Sequence, residues 1–317
     1  MNKNSEKYIA LSGGIGGAKL ALGLSHTLAS SQLMVVANTG DDFEHLGLSI
    51  SPDIDTLLYT LADLSNTELG WGRRDETWNF AQTCEQIGMD TWFKLGDRDL
   101  AIHLYRSQRL KEGASLSLVV EELCSRFKVG STIVPMSDLP VRTVVESDIG
   151  TLSFQEYFVK NKCVPRVSTI RFEGLEEARP SPAFMEGLDD EALQAIIICP
   201  SNPFLSVQPI LSLPGLKEKI QSTGRPVIVV SPVIDGQSVK GPTIKLMEEL
   251  GLICNVRTIA ELYKDIATAI VVDTLDESFS NDINSMGLKV HSTRILMTDL
   301  QDKINLAQDI CKFSRNL

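Results

Sequence analysis

The chain has no pair of cysteines at CxxC spacing; its six (Cys84, Cys124, Cys163, Cys199, Cys254 and Cys311) are scattered along 317 residues. That scatter argues against a zinc site and, at this length, against a disulfide scaffold, so reduced and mostly buried thiols are expected. Basic charge is scarce: 30 Lys and Arg stand against 41 Asp and Glu, a net charge of −11. Sequence-independent binding to DNA or RNA needs a basic face, so no nucleic-acid partner is expected. No apolar stretch reaches the ~18 residues needed to cross a bilayer. The apolar run near the start, Tyr8 to Leu11, is too short for the core of a secretion signal. A soluble, cytoplasmic protein without a membrane partner is expected. HExxH, GxSxG and any cysteine–histidine pair at a catalytic spacing are missing, as are internal repeats and low-complexity linkers.

What is present is a βαβ rhythm. Tyr8–Leu11, Leu33–Ala37, Ala195–Cys199, Pro226–Val230 and Ala269–Val272 are short apolar runs, each leading into a loop and then a helical pattern. Continuous apolar runs suit strands buried on both faces, so the spacing predicts an α/β fold around a mainly parallel sheet. Helices are expected over Ala18–Ala29, Asp55–Leu64, Thr77–Ile87, Asp99–Leu110, Ser115–Phe127 and Asp299–Phe313, with Ser115 as an N-cap. Strands Ser131–Pro135, Arg142–Glu146 and Gly150–Ser153 follow in the middle, and Phe154–Asn161 and Arg166–Glu173 continue the series. The domain expectation is a nucleotide-binding core of residues 1–66 and 190–317, interrupted by a smaller helical and β insertion over 67–189.

Ligands in such sheets sit beyond the carboxyl ends of the strands, and the polar motifs fall there. SGGIGGAK (Ser12–Lys19) places Gly13, Gly14, Gly16 and Gly17 between a strand and a helix. Glycines let backbone N–H groups turn toward an anion at the positive helix end. The segment is neither a Walker A loop, which ends in Gly-Lys-Ser/Thr, nor a dinucleotide fingerprint, whose third glycine is replaced by Lys19. NTGDD (Asn38–Asp42) and SPDID (Ser51–Asp55) bring Asp41, Asp42, Asp53 and Asp55 within fifteen residues. A divalent cation or basic partners would relieve such a cluster, although Asp53 or Asp55 could equally cap a helix starting near Thr56. Lys94, Asp97, Arg98, Asp99 and His103 alternate in sign at a helix entry, for which solvated salt bridges are the default. Nearby, GWGRRDETW (Gly70–Trp78) supplies aromatic rings suited to a planar heterocycle, although such rings also occur in ordinary cores. Ser201 and Asn202, in ProSerAsnPro after one core strand, and the Ser231–Gly236 loop after another complete a nucleotide-sized set.

These blocks, with KLGDRDLAIH (Lys94–His103), LPVRT (Leu139–Thr143), PSNPFLSVQPIL (Pro200–Leu211), VSPVIDGQSVKGP (Val230–Pro242) and LMTD (Leu296–Asp299), run in order along nearly the whole chain. In that order they resemble the 2-phospho-L-lactate transferase family of deazaflavin coenzyme biosynthesis. The resemblance implies a modified Rossmann-like core with a smaller second domain, often as a homodimer. It implies a Mg²⁺-dependent reaction in which the ribityl hydroxyl of the deazaflavin Fo attacks a guanosine-diphosphate-linked phospho-acid and GMP leaves. Asp55 and Lys94 match the family's Fo-binding positions. Gly13, Gly14, Gly16, Gly17, Lys19, Ser201 and Asn202 would hold the donor's phosphates, and the Val230–Pro242 block its guanosine. Asp41, Asp42 and Asp53 are the metal candidates, with Asp42 and Asp53 also the candidate catalytic carboxylates. The donor acid is left open among phospholactyl, phosphoenolpyruvyl and phosphoglyceryl groups. Two alternatives stay open on the residues alone: another nucleotide-dependent transferase, and a non-catalytic nucleotide-binding regulator.

Overall fold

The computed structural model describes residues 6–66, 72–238 and 241–317. Seven strands form one sheet: β1 (Lys7–Ser12), β2 (Leu33–Ala37), β3 (Thr132–Pro135), β4 (Leu193–Ile198), β5 (Val227–Val230), β6 (Ala269–Val272) and β7 (Lys289–Ser292). They lie in the order 7-6-5-4-1-2-3, and every pairing is parallel. From β1 the chain winds outward through β2 to β3, then returns to lay β4 to β7 on the other side. The connections therefore diverge between β1 and β4, which opens a crevice beyond the ends of those two strands.

The apolar runs of the sequence are two-sided, as a parallel sheet requires. Alternate residues serve opposite faces: Ile9, Leu11, Val36, Ile196, Ile198 and Val229 pack into one layer, and Tyr8, Ala10, Val35, Ala195, Ile197 and Val230 into the other. The second layer is closed by α1 (Gly14–Thr27), α2 (Pro52–Leu61), α3 (Asp97–Lys111), α4 (Leu116–Arg126) and α5 (Leu300–Ser314). A β-carbon at Gly23 would lie 2.1 Å from the Lys303 carbonyl oxygen, so α1 and α5 can cross this closely only at glycine.

Several boundaries differ from expectation for local reasons. α1 begins at Gly14, so the glycines enter the helix rather than form a loop before it. α2 begins at Pro52, a residue whose fixed φ suits the first helical position. Asp53 and Asp55 accordingly lie inside its first turn, not ahead of a helix starting at Thr56. Phe154–Asn161 does not extend the strands, because Glu156–Lys160 closes into a π-helical turn. Arg142–Ser147 pairs antiparallel with Gly150–Ser153 and Val167–Glu173 in a separate small sheet. Within residues 67–189, β3 pairs with β2 at the edge of the main sheet, and α4 packs in its second layer. All six cysteines are free, and four of them are buried. Among the described residues, no helix is long and apolar enough to cross a membrane.

Candidate active site

A cleft of about 770 Å³ lies at the crevice between β1 and β4, within the roughly 300–1,000 Å³ usual for small-molecule sites. Gly13, Gly14, Ile15 and Gly16 line it after β1, Pro200, Ser201 and Asn202 after β4, and Ser231 and Pro232 after β5.

The first turn of a helix leaves backbone N–H groups without intrahelical partners. Here the Gly13 N–H donates to Ser201 Oγ (3.2 Å) and the Gly14 N–H to Asp53 Oδ1 (2.6 Å). The amides of Ile15 and Gly16, both at the cleft wall, remain for an anion beside the positive helix end. Gly14 has φ +64°, which favours glycine. Gly13 and Gly16 answer to close approach instead, since β-carbons there would lie 2.7 Å from Asp53 Oδ2 and 2.2 Å from the Pro200 carbonyl oxygen. Gly17, expected among the phosphate contacts, does not line the cleft, and a β-carbon there would meet Ser12 and Ser201. Gly16→Ala is expected to cost about 1–3 kcal/mol of stability, read as a lower urea midpoint, because the obstructing atom belongs to the backbone.

Lys19 lines the cleft and donates to the Met297 carbonyl (2.8 Å), which ties the LMTD block to α1. Ser201 Oγ also donates to the Gly13 carbonyl (2.8 Å), so it staples the two loops. Asn202 is largely committed to structure. Its Oδ1 accepts from the Phe204 and Leu205 amides, and its Nδ2 donates to Thr243 Oγ1 (3.1 Å). Gly241, Pro242 and Thr243 line the same end of the cleft. Val239 and Lys240 of that block, and Gly70 and Trp71 of GWGRRDETW, lie outside the described residues.

The acidic cluster divides. Asn38, buried at the end of β2, donates from Nδ2 to Asp53 Oδ2 (2.9 Å) and Asp41 Oδ1 (3.4 Å). This holds the two carboxylates side by side in the cleft wall. Burial pushes Asp53 up to about 6. Burial, then the charges of Asp53 and Asp42, push Asp41 well above the usual carboxylate range. Two buried carboxylates repelling each other form a hard, all-oxygen donor set that fits a Mg²⁺ ion. Asp42 does not line the main cleft; it lines a smaller pocket of about 390 Å³ with Arg142, a pocket that Asp41 borders as well. Its Oδ2 accepts from Ser51 Oγ (2.8 Å). Burial pushes Asp42 up to about 7, against the opposing charge of Arg142.

The other end of the cleft is aromatic. Trp92, Phe93, Phe154 and Phe158 line it, with Phe154 and Phe158 stacked at 5.3 Å; Trp78 of the GWGRRDETW block does not. Lys94 reaches the cleft from an exposed position, and Asp55 forms part of the wall. Asp99 and His103 are not the solvated salt bridges expected. α2 presents Asp55 and Tyr59 one turn apart, and α3 presents Asp99, His103 and Arg106 along one face. The two stripes meet antiparallel: Arg106 grips both oxygens of Asp55, Tyr59 Oη donates to Asp99 Oδ1, and His103 Nε2 lies 3.0 Å from Asp99 Oδ2. Burial opposes the charge on Asp99, but the His103 and Tyr59 contacts hold its carboxyl below the usual range. Glu76 of the GRRDETW segment accepts from the Arg98 and Asp99 amides (2.8 and 2.9 Å) and so caps the helix that carries this stripe. Sequence pattern does not single out Asn38, Tyr59 or Arg106. The available signal was Arg106 at three residues from His103 and seven from Asp99.

In comparisons with known proteins, the family model described as "2-phospho-L-lactate transferase CofD" matches residues 9–300. A 2-phospho-L-lactate transferase of Methanococcoides burtonii is 36% identical over 98% of this chain and 100% of its own length. One from Methanopyrus kandleri is 38% identical, covering 98% of each. A phosphoenolpyruvate transferase of Kitasatospora aureofaciens is 37% identical over 95% of this chain and 96% of its own. A solved Bacillus halodurans structure of the UPF0052 family shares the fold at TM-score 0.61 and 15% identity, over 96% of this chain and 98% of that one. With a glycine-rich turn, an Asp41–Asp53 pair and an Asp55–Lys94 wall around one cleft, and with relatives matching from end to end, the chain belongs to the 2-phospho-L-lactate transferase family.

Proposed function

We propose that the protein transfers a phospho-acid group from a guanosine-diphosphate-linked donor to the ribityl hydroxyl of the deazaflavin Fo. The hydroxyl oxygen bonds to the distal phosphorus, the bond from that phosphorus to the bridging oxygen breaks, and GMP leaves carrying that oxygen. The hydroxyl proton is released, and the product is a phosphodiester. The observation that carries this reading is a single cleft with two unlike ends. An amide-lined helix terminus beside paired carboxylates suits a charged diphosphate, and the aromatic end with Asp55 and Lys94 suits a polar heterocycle.

The residues have separate tasks. The Ile15 and Gly16 amides and Lys19 would bind the donor's phosphates, with Ser201 fixing the two loops that frame them. Asp41 and Asp53 would hold Mg²⁺, which when bound supplies charge neutralisation at the transferred phosphorus. Trp92, Phe93, Phe154 and Phe158 would exclude water from the acceptor ring, while Lys94 and Asp55 fix its polar edge. No covalent nucleophile is needed, because phosphoryl transfer is governed by positioning and charge stabilisation.

The test is to incubate the protein with Fo, Mg²⁺ and, separately, the phospholactyl, phosphoenolpyruvyl and phosphoglyceryl guanylyl donors. GMP and a matching phosphodiester are expected with at least one donor. Absence of both with all three would sink the proposal. Curated relatives named for two different acids are the reason for offering every donor.

A further inference from the structure

We propose that Arg106 is a positioning residue for the acceptor side of the cleft. It fixes the carboxylate of Asp55 as a hydrogen-bond acceptor for O–H or N–H groups of the bound alcohol, and it makes the Asp55–Asp99–His103 group an organised acceptor set and not a cation site. The inference deepens the reading of the aromatic end as the acceptor site and rests on it.

Ligand atoms of Asp55, Asp99 and His103 all lie within 4.8 Å of one another, a spacing that would suit a metal ion. The hydrogen bonding argues otherwise. Arg106 is fully buried and does not line the cleft, whereas Asp55, Tyr59, Asp99 and His103 do. Its Nη1 lies 3.1 Å from Asp55 Oδ2, 3.3 Å from the Ser49 carbonyl and 3.3 Å from His103 Nδ1, and its Nη2 donates to Asp55 Oδ1. A guanidinium can only donate. His103 Nδ1 must therefore accept, which puts the ring proton on Nε2, facing Asp99 Oδ2. The other Asp99 oxygen is taken by Tyr59. His103 Nε2 makes no well-aligned hydrogen bond, but carrying the ring proton it has no lone pair for a metal, and a cation here would meet a buried guanidinium. Each carboxylate oxygen has more than one lone pair, so Asp55 and Asp99 can still accept from groups inside the cleft. A fork gripping both oxygens also fixes the plane of the Asp55 carboxylate, which lysine, a single point charge, cannot do.

The test uses the full-length protein and has two arms. In the first, Arg106→Lys is expected to raise KM for Fo by about 10- to 100-fold, the loss of one hydrogen bond to a charged group. KM for the guanylyl donor and kcat at saturating Fo should change less than about threefold. Equal changes in both KM values, or none, with an active wild type would overturn the proposal. A wild type inactive with every donor would instead overturn the transferase reading. In the second arm, Mn²⁺ binding is titrated by electron paramagnetic resonance without substrates. Asp99→Asn should bind Mn²⁺ as the wild type does, and Asp53→Asn should bind it at least tenfold more weakly. Loss of Mn²⁺ in Asp99→Asn alone would overturn the proposal, and this arm decides the question if Arg106→Lys does not fold.

Discussion

Asp53→Asn is expected to lower turnover by roughly 10²–10³-fold, the scale of losing one electrostatic contributor to a charged transition state, while leaving the fold intact. Asparagine fits the same space and keeps an oxygen to accept the Gly14 N–H, at the cost of the hydrogen bond that Asn38 Nδ2 donates to Asp53 Oδ2. What it removes is one of two charges that burial makes unfavourable. The same variant should therefore be more stable than the wild type in the absence of divalent cation, and increasingly so as pH rises. The sign follows from where the proton is held. Burial pushes the Asp53 carboxyl up to about 6 in the folded protein, from an ordinary value of 3.8. The unfolded chain thus gives up its proton first, and wild-type stability is lost as pH climbs from about 4 through 6. Urea midpoints of both proteins at pH 5 and pH 8 check this: the gap should open at pH 8, and Mg²⁺ should narrow it. A gap of the same size at both pH values would contradict the assignment of Asp53 as an unfavourably buried carboxylate.

Arg106→Ala, made just behind the cleft wall, is expected to destabilise the protein by about 3–5 kcal/mol, because it leaves Asp55 buried without its counter-charge. Burial disfavours the charged guanidinium, yet Asp55 more than compensates, so Arg106 stays firmly protonated. Removing both partners tells the two effects apart. The double change Arg106→Met with Asp55→Leu should recover most of the lost stability, since an apolar pair of similar volume avoids the desolvation cost of the ions. It should not recover turnover, because the acceptor loses Asp55. Denaturant titration reads the first result and GMP release the second. Full activity in the double variant would remove Asp55 from the site.

How far the sequence went in advance depends on the range of the interactions involved. The strands were legible because burial on both faces leaves an unbroken apolar signature, as in LMVVA (Leu33–Ala37). The Ser115 cap was legible because its partner, the Leu118 amide, is three residues away. The glycine turn was located, yet its four glycines were treated alike. Only structure separates Gly14, shaped by its φ, from Gly13, Gly16 and Gly17, shaped by neighbours that include a loop some 190 residues later. The acidic cluster was found as a cluster, and its division was not legible. Asp41 and Asp42 are adjacent in sequence and both line the smaller pocket, but only Asp41, held beside Asp53 by Asn38, also reaches the main cleft. Arg106 was invisible for a related reason: on an otherwise charged helix, a buried arginine resembles an exposed one until its partner helix is in place.

The central position of β1 has a consequence for how the chain reaches its native state. β1 leaves the ribosome first, but its neighbour β4 begins at Leu193, and the Met297 carbonyl that receives Lys19 comes later still. Contacts this distant in sequence slow folding, because a long loop must close before they reward it. A nascent chain stopped before β4 has one open flank on its innermost strand, apolar on both faces, and half a cleft. Competence for binding should thus arise only once the chain has been made through Met297. Until then, shielding that strand would fall to chaperones or to the speed of synthesis.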